Sequence, residues 1–245
     1  MASAVYDDIA LDYKTSKELP FRTYIETYSL FRMTGPVDGL DILDLACGEG
    51  FYTRKLKKAG AQFVGGVDIS SEMVLLAERN EEEMPIGCKY SVHNVATMPT
   101  LGSFDLVVAM YLLNYARTQK ELLAFCRAAF RQLKSGGRFI GVNDNPANDP
   151  AYYKTYRPYG FIKDCYPDRK EGDPILYTFY QPDNSFFQFN NFYLHPKTYE
   201  EAFKKAGFIN FRWIPVTLDP TQANNQFWAR FMTQPPIVGF SAERG

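Results

Sequence analysis

A chain of 245 residues that is 46% hydrophobic and 22% charged can bury a sizeable core, and its length suits one α/β domain. Its 27 basic residues face 28 acidic ones, a net charge of -1, so no overall basic excess draws it to nucleic acid. No apolar run approaches the roughly 20 residues of a membrane span, and the first residues lack a basic start followed by an apolar stretch.

Tyr6, Ile9, Ala10 and Tyr13 recur at helical spacing. Pro20 breaks that pattern, and a second helix is predicted from Phe21 to about Met33, ended by Gly35-Pro36. Strand and helix signals then alternate. Ile42–Leu45 predicts a strand, Phe51–Ala59 a helix closed by Gly60, and Phe63–Asp68 a second strand. Ser70 or Ser71 caps a helix to about Asn80, with Glu72 in its first turn, where an acid complements the dipole. Cys88–His93 predicts the third strand. Phe104–Met110 predicts the fourth, in which Leu106–Met110 is a continuous apolar run of the kind buried on both faces. Lys120–Leu133 predicts a helix ended at Gly136-Gly137, and Arg138–Val142 the fifth strand. Such alternation implies a parallel sheet with right-handed crossovers.

After Val142 the rhythm stops. Nine tyrosines and phenylalanines lie from Tyr152 through Tyr180, among many Pro, Gly, Asn and Asp residues. Ile175–Tyr180 and Phe186–Tyr193 alternate like strands about a turn, which predicts a hairpin inserted after the fifth strand. A helix over Lys197–Ala206, a strand over Phe208–Pro215 and a last strand over Phe227–Thr233 complete the pattern; the tail from Pro235 has no strong signal. The four cysteines are widely spaced, with no Cys-x-x-Cys, and fit reduced, mostly buried residues of a cytosolic-type protein.

The stretch that points to chemistry is Asp41–Gly50, where the first strand runs into a turn with glycines at 48 and 50 and then a helix. Strand, glycine turn and helix make a nucleotide-binding opening. A dinucleotide fingerprint needs a third glycine at position 53; Thr53 stands there instead. Asp68 follows Gly48 by 20 residues and ends the second strand, where an acid accepts hydrogen bonds from the ribose hydroxyls of an adenosine. Either glycine could belong to an ordinary turn, and Asp68 alone could cap a helix, but Ser70 or Ser71 already does so.

Asp44-Leu-Ala-Cys-Gly-Glu-Gly, Gly66-Val-Asp-Ile-Ser, Phe104-Asp-Leu-Val-Val-Ala and Leu133-Lys-Ser-Gly-Gly-Arg-Phe resemble the successive motifs of class I S-adenosylmethionine-dependent methyltransferases. Tyr6-Asp-x-Ile-Ala-x-x-x-Tyr13 resembles the lid helix of their small-molecule branch, and the resemblance covers about residues 5–143. Leu112–Ala116 and Phe187–Trp213 are more weakly similar to toxoflavin-type azapteridine N-methyltransferases. The resemblance implies a Rossmann-like, doubly wound α/β fold with a mostly parallel sheet of about seven strands. It also implies one methyltransferase domain over 1–245: a helical lid over 1–35, a cofactor core over 36–142, a substrate-pocket insertion over 143–195 and a C-terminal helix and strands over 196–245.

By the same resemblance, Asp44, Ala46, Gly48 and Gly50 flank the methionine part of S-adenosyl-L-methionine, and Asp68 holds its ribose. Ile69 and Met73 pack on adenine, Asn94 and Val95 meet its amino group, and Ala109 and Met110 lie beside the sulfonium. Tyr6, Tyr13 and Arg22 close over the cofactor, with Arg22 as the partner of its carboxylate. Asn94 departs from the acid usual at its position; Tyr6 and Tyr13 could also be plain core, though the lid role is favoured, and Met73 can be helix core and still touch adenine.

Methyl transfer from a sulfonium needs alignment and exclusion of water, and a base only where the acceptor must lose a proton. The candidates for catalytic roles are His195, Tyr111 and Asp144; His195 precedes Pro196 at a helix start, so a capping role suits it as well. No metal constellation is seen. The aromatic segment after Val142 points to a small, planar or heteroaromatic acceptor, with N-methylation ahead of O-methylation. A cytoplasmic enzyme of secondary metabolism, with no nucleic-acid or membrane partner, is the expectation. The rivals are a cofactor-binding regulator without activity and an NAD-dependent oxidoreductase.

Overall fold

The computed structural model describes residues 16–181, 183 and 185–245. A π-helical turn, Arg22–Thr27, runs directly into helix α1, Tyr28–Thr34. Alternating elements follow: β1 Asp41–Leu45, α2 Phe51–Lys58, β2 Phe63–Asp68, α3 Ser71–Glu83, β3 Lys89–Val92, β4 Phe104–Met110, α4 Gln119–Gln132 and β5 Leu133–Asp144. The C-terminal part supplies α5 Pro196–Ala206, β9 Phe208–Ile214, a short helix α6 Ala229–Thr233 and β10 Ile237–Arg244. These strands form one sheet in the order β3-β2-β1-β4-β5-β10-β9. β1 to β5 pair in parallel and β10 lies antiparallel between β5 and β9. The predicted Rossmann-like α/β architecture with a seven-stranded sheet is therefore present.

The central strands alternate between two cores. Ile42, Leu106, Val108 and Ile140 join a cluster with Phe21, Ile25 and Leu30 on one face. Leu43, Leu45, Val107, Ala109 and Phe139 join the other, with Leu122 and Phe203 of the helices. Successive side chains point to opposite faces of a strand, so a run that is apolar at every position demands cover on both sides. Ser70 caps α3 by accepting from the Met73 amide at 3.2 Å, and Thr118 caps α4 in the same way through Glu121.

The insertion departs from the sequence reading. A 3-10 helix, Pro150–Tyr159, leads into a three-stranded antiparallel sheet of β6 Phe161–Asp164, β7 Pro174–Tyr180 and β8 Phe186–Phe192. The predicted hairpin is β7–β8; β6 is too short for its alternation to stand out. The predicted last strand over Phe227–Thr233 is helical, and the strand is Ile237–Arg244. Its residues pair with β5 along one edge and β9 along the other, so partners far away in sequence decide its state. Among the described residues no helix is long and apolar enough to cross a membrane.

Candidate active site

Beyond β1 the chain turns through left-handed backbone at Ala46 (φ 58°), Gly48 (φ 56°) and Gly50 (φ 85°). Only glycine adopts that conformation without a steric penalty. A Cβ at Gly48 would meet nothing within 4 Å, so that position is open, whereas one at Gly50 would lie 2.5 Å from Tyr90 Oη. Asp44 sits beneath the turn, 1% exposed. Its Oδ2 accepts a hydrogen bond from Thr53 Oγ1 at 2.7 Å, and its Oδ1 is buried without a partner. Burial raises its pKa from 3.8 to about 7, against the opposing effects of the Thr53 hydrogen bond and the Lys17 charge. A half-partnered carboxylate in such a place is suited to a cation. Thr53, in the place of a dinucleotide site's third glycine, is committed to that carboxylate.

Asp68 joins the turn to the end of β2. Its Oδ2 accepts from the Gly48 amide at 2.8 Å and its Oδ1 from the Ser70 amide at 2.9 Å. The Ser70 cap therefore does not leave Asp68 wholly to a ligand, although each carboxylate oxygen has a second lone pair. Burial raises its pKa, and the backbone donors and Lys17 oppose that. Ile69 is half-buried and Met73 buried behind it. Val95 is buried, while Asn94 is exposed and turns its Oδ1 onto the Ala96 amide at 3.0 Å. Lys17, absent from the sequence reading, is half-buried, with its ammonium 5.1 Å from the Tyr52 ring centroid. No motif marks a lysine in that position; only the fold brings its charge toward Asp44 and Asp68.

Ala109 and Met110 are buried at the end of β4, and Tyr111, the next residue, has φ 71°. A cavity begins there. Its aromatic walls are Phe21, Phe161, Phe179 and Phe189, and its polar wall residues are Arg22, Tyr111, Tyr115, Tyr177 and Asn191. Rings of the inserted sheet stack along one side, with Tyr177 and Phe189 only 1° from coplanar at 5.5 Å.

Two tyrosines of the cavity are backed by carboxylates. The Tyr111 hydroxyl donates to Glu26, whose Oε2 also pairs with Arg22 Nη1 at 2.7 Å. Glu26 is fully buried on the π-helical turn, with Oε1 unpartnered. The Tyr177 hydroxyl donates to Asp144, which also accepts from Lys163 Nζ at 2.8 Å. Lys163 is fully buried, its ammonium 4.2 Å from the Tyr153 ring centroid. Burial lowers the Lys163 pKa, and Asp144 opposes that. Burial first, then the Asp144 charge, hold the Tyr177 hydroxyl in its protonated form. Glu26 and Lys163 escaped the sequence reading, since one looks like a helix-surface acid and the other like a surface base.

Two predicted roles need correction. Arg22 is not an open partner for a cofactor carboxylate: it is 2% exposed, is paired with Glu26 and lines the aromatic cavity. A guanidinium so buried needs an internal anion, and Glu26 stands four residues on. His195 is exposed, and its Nδ1 accepts from the Lys197 amide at 3.2 Å, capping α5. It is not among the cavity's lining residues. Tyr6 and Tyr13 lie outside the described residues. Of the cysteines, Cys47, Cys88 and Cys126 are buried and Cys165 is half-buried, all with free thiols. Among the described residues no group of three potential metal ligands occurs.

Residues 42–137 match the family model described as "Methyltransferase domain". The demethylmenaquinone methyltransferase of Lactococcus lactis is 29% identical over 212 residues, 84% of this chain and 81% of that protein. A tRNA U34 carboxymethyltransferase of Pseudoalteromonas translucida is 31% identical over 113 residues, 43% of this chain and 32% of its own length. A solved S-adenosylmethionine-dependent methyltransferase of Listeria monocytogenes, described as putative, superposes with a TM-score of 0.65 at 20% identity, over 90% of this chain and 96% of the other. The fold, the glycine turn with its two acids and these likenesses define a Rossmann-like transferase. The chain is an S-adenosylmethionine-dependent methyltransferase.

Proposed function

We propose that this enzyme methylates a small planar acceptor, at nitrogen in preference to oxygen, held in the aromatic cavity beyond β4. The observation that carries the reading is the cavity itself: stacked rings of the inserted sheet face Tyr111, the residue directly after Met110. Flat aromatic walls suit a flat ligand and exclude water. The weak similarity of Leu112–Ala116 and Phe187–Trp213 to azapteridine N-methyltransferases supports nitrogen, and the Lactococcus relative's named substrate supports a small acceptor.

The residues fit S-adenosylmethionine. The unpartnered Asp44 Oδ1 and the open space at Gly48 suit its cationic amino-acid end. In this reading Asp44, Ala46, Gly48 and Gly50 hold that end and Asp68 the ribose. Ile69, Met73, Asn94 and Val95 border adenine, and Ala109 and Met110 border the sulfur. When bound, the cofactor supplies an electrophilic methyl carbon. The protein's own contribution is alignment and dryness. Asp44 and Asp68 fix the donor side, residues 143–195 cover the acceptor, Tyr111 lies on the cavity wall, and Asp144 lies behind that wall and reaches it through Tyr177.

Release of S-adenosylhomocysteine across a panel of heteroaromatic amines and phenols tests this. Turnover of planar amines supports it. Activity on RNA or protein alone, or cofactor binding with no transfer to any acceptor, overturns it.

A further inference from the structure

Three arginines share a cleft on the far side of the sheet from the methyl-transfer site. Where α1 packs on β5 and β10, a cleft of about 220 Å³ is lined by Arg32, Arg138 and Arg212 and by no aspartate or glutamate. It shares no residue with the aromatic cavity. The sheet brings its walls together. Arg212 of β9 and Ser241 of β10 are cross-strand partners, and Ser241 pairs on its other side with Ile140 of β5. Arg138 stands two residues before Ile140, so it projects to the same face. α1 covers that face so closely that a Cβ at Gly239 would lie 2.5 Å from Met33 Sδ. Arg138 is near the start of β5 and Asp144 at its end, roughly 20 Å apart at a strand's rise of about 3.3 Å per residue.

The three guanidiniums are held unequally. Arg138 is anchored: its Nη1 donates to the Met33 carbonyl at 3.2 Å and its Nη2 to the Thr34 carbonyl at 2.6 Å, which closes the end of α1. Arg32 and Arg212 are exposed, and among the described residues no carboxylate forms an ion pair with any of the three. Glu243, opposite Arg138 on β10, accepts from Asn210 Nδ2 at 2.9 Å and does not line the cleft. An arginine on an edge strand guards against strand pairing, and one in a last helical turn complements the dipole. Neither duty places three in one cleft, and Arg138 already serves the α1 carbonyls. Like charges in a concave place repel one another and focus a positive field.

We propose that this cleft binds a compact polyanion of the phosphate class, such as pyrophosphate or a small phosphate ester, at a site separate from methyl transfer. Guanidinium forks match phosphate oxygens, and the buried Ser241 on the cleft wall adds a hydroxyl donor. A net charge of -1 and the cleft's limited volume favour a small anion over a nucleic acid or a lipid surface.

Calorimetry with sodium pyrophosphate at constant ionic strength tests this. Wild type should bind it saturably, one per chain. The affinity should fall about tenfold or more in Arg32→Gln and in Arg212→Gln, the scale of a lost hydrogen bond to a charged group. Ligand-free stability in urea should stay level or rise in both variants, because repulsion is relieved; arginines kept for packing would lower it. S-adenosylhomocysteine should bind wild type and both variants alike and leave pyrophosphate bound. Heats no greater than those of sodium chloride at the same ionic strength overturn the proposal, as does an affinity that survives the Arg32→Gln, Arg212→Gln double variant. Displacement of pyrophosphate by S-adenosylhomocysteine, a loss of ligand-free stability in both single variants, or binding of phosphatidylglycerol vesicles or RNA with none of pyrophosphate overturns it too.

Discussion

Thr53 donates to one oxygen of Asp44 at 2.7 Å and leaves the other oxygen buried with no partner. Burial, against the Thr53 hydrogen bond, pushes the Asp44 pKa up to about 7, and that has a consequence for stability. Below about pH 4, folded and unfolded chains are both protonated at Asp44. Between about pH 4 and pH 7 the unfolded chain loses that proton and the folded chain keeps it, so stability falls as pH rises, and the loss is complete above about 7. At about 1.4 kcal/mol per unit the effect is on the order of 4 kcal/mol. Asp68 is shifted upward too and adds to the same slope. In urea unfolding of ligand-free protein, Asp44→Asn should gain on wild type from pH 5 to about pH 7 and level off above it. Parallel pH profiles for the two proteins would refute the protonated Asp44.

The same residue links binding to protons. A cationic ligand beside Asp44 favours its ionised form, so S-adenosylmethionine binding near pH 6.5, about half a unit below that pKa, should release a proton. Calorimetry in buffers of different ionisation enthalpy reads this directly. Wild type should show release and Asp44→Asn should show less; identical proton counts would place the cofactor's charge elsewhere.

Asp68 bonds to the amides of Gly48 and Ser70, and so ties the turn after β1 to the start of α3. Asp68→Ala is expected to weaken S-adenosylmethionine binding by about 1–3 kcal/mol, as for a lost hydrogen-bonding partner in a buried site. It should also lower the denaturation midpoint, because two backbone N–H groups lose their acceptor. An unchanged affinity by calorimetry would mean that the ribose lies elsewhere.

The parts of this molecule legible in its sequence are those decided locally. The β1 turn, the acid at the end of β2 and the Ser70 cap each depend on residues within a few positions of one another, and the apolar run Leu106–Met110 signals burial on both faces by itself. The illegible parts depend on partners far along the chain. β10 is a strand because β5 and β9 flank it, and the Phe227–Thr233 run, apolar enough for a strand, is instead helical with Trp228 and Phe231 buried against Tyr159. The same holds for the site. Arg22 looked like a carboxylate clamp because its charge was visible and Glu26's role was not. Tyr177 meets Asp144 across 33 residues, and no spacing rule announces that contact.

His195 gives a test of one such correction. Its Nδ1 accepts from the Lys197 amide, and the ring is exposed, so its work is to cap α5. His195→Ala should cost about 0.5–1 kcal/mol of stability, the lower part of the range for a lost N-cap. Its kcat on any accepted substrate should match wild type. A fall in kcat of a hundredfold, with the fold intact by circular dichroism, would restore the histidine as a base.

Lys163 of β6 and Asp144 at the end of β5 form an ion pair that ties the insertion to the main sheet, with the lysine fully buried and the aspartate 5% exposed. Taking both charges out of water is costly, and their attraction together with the Tyr177 hydroxyl offsets that cost. Lys163→Met alone removes the cation and leaves Asp144 buried with the tyrosine as its remaining charge-stabilising partner, so a loss of about 3–5 kcal/mol is expected. Lys163→Met combined with Asp144→Asn removes both charges and keeps an oxygen to accept from Tyr177, so the double variant should be more stable than the single one. The coupling is read as a double-mutant cycle in denaturant. Additive losses would show that the two groups act independently. A recovered stability in the double variant, with acceptor binding still weakened, would separate the pair's structural part from its hold on Tyr177.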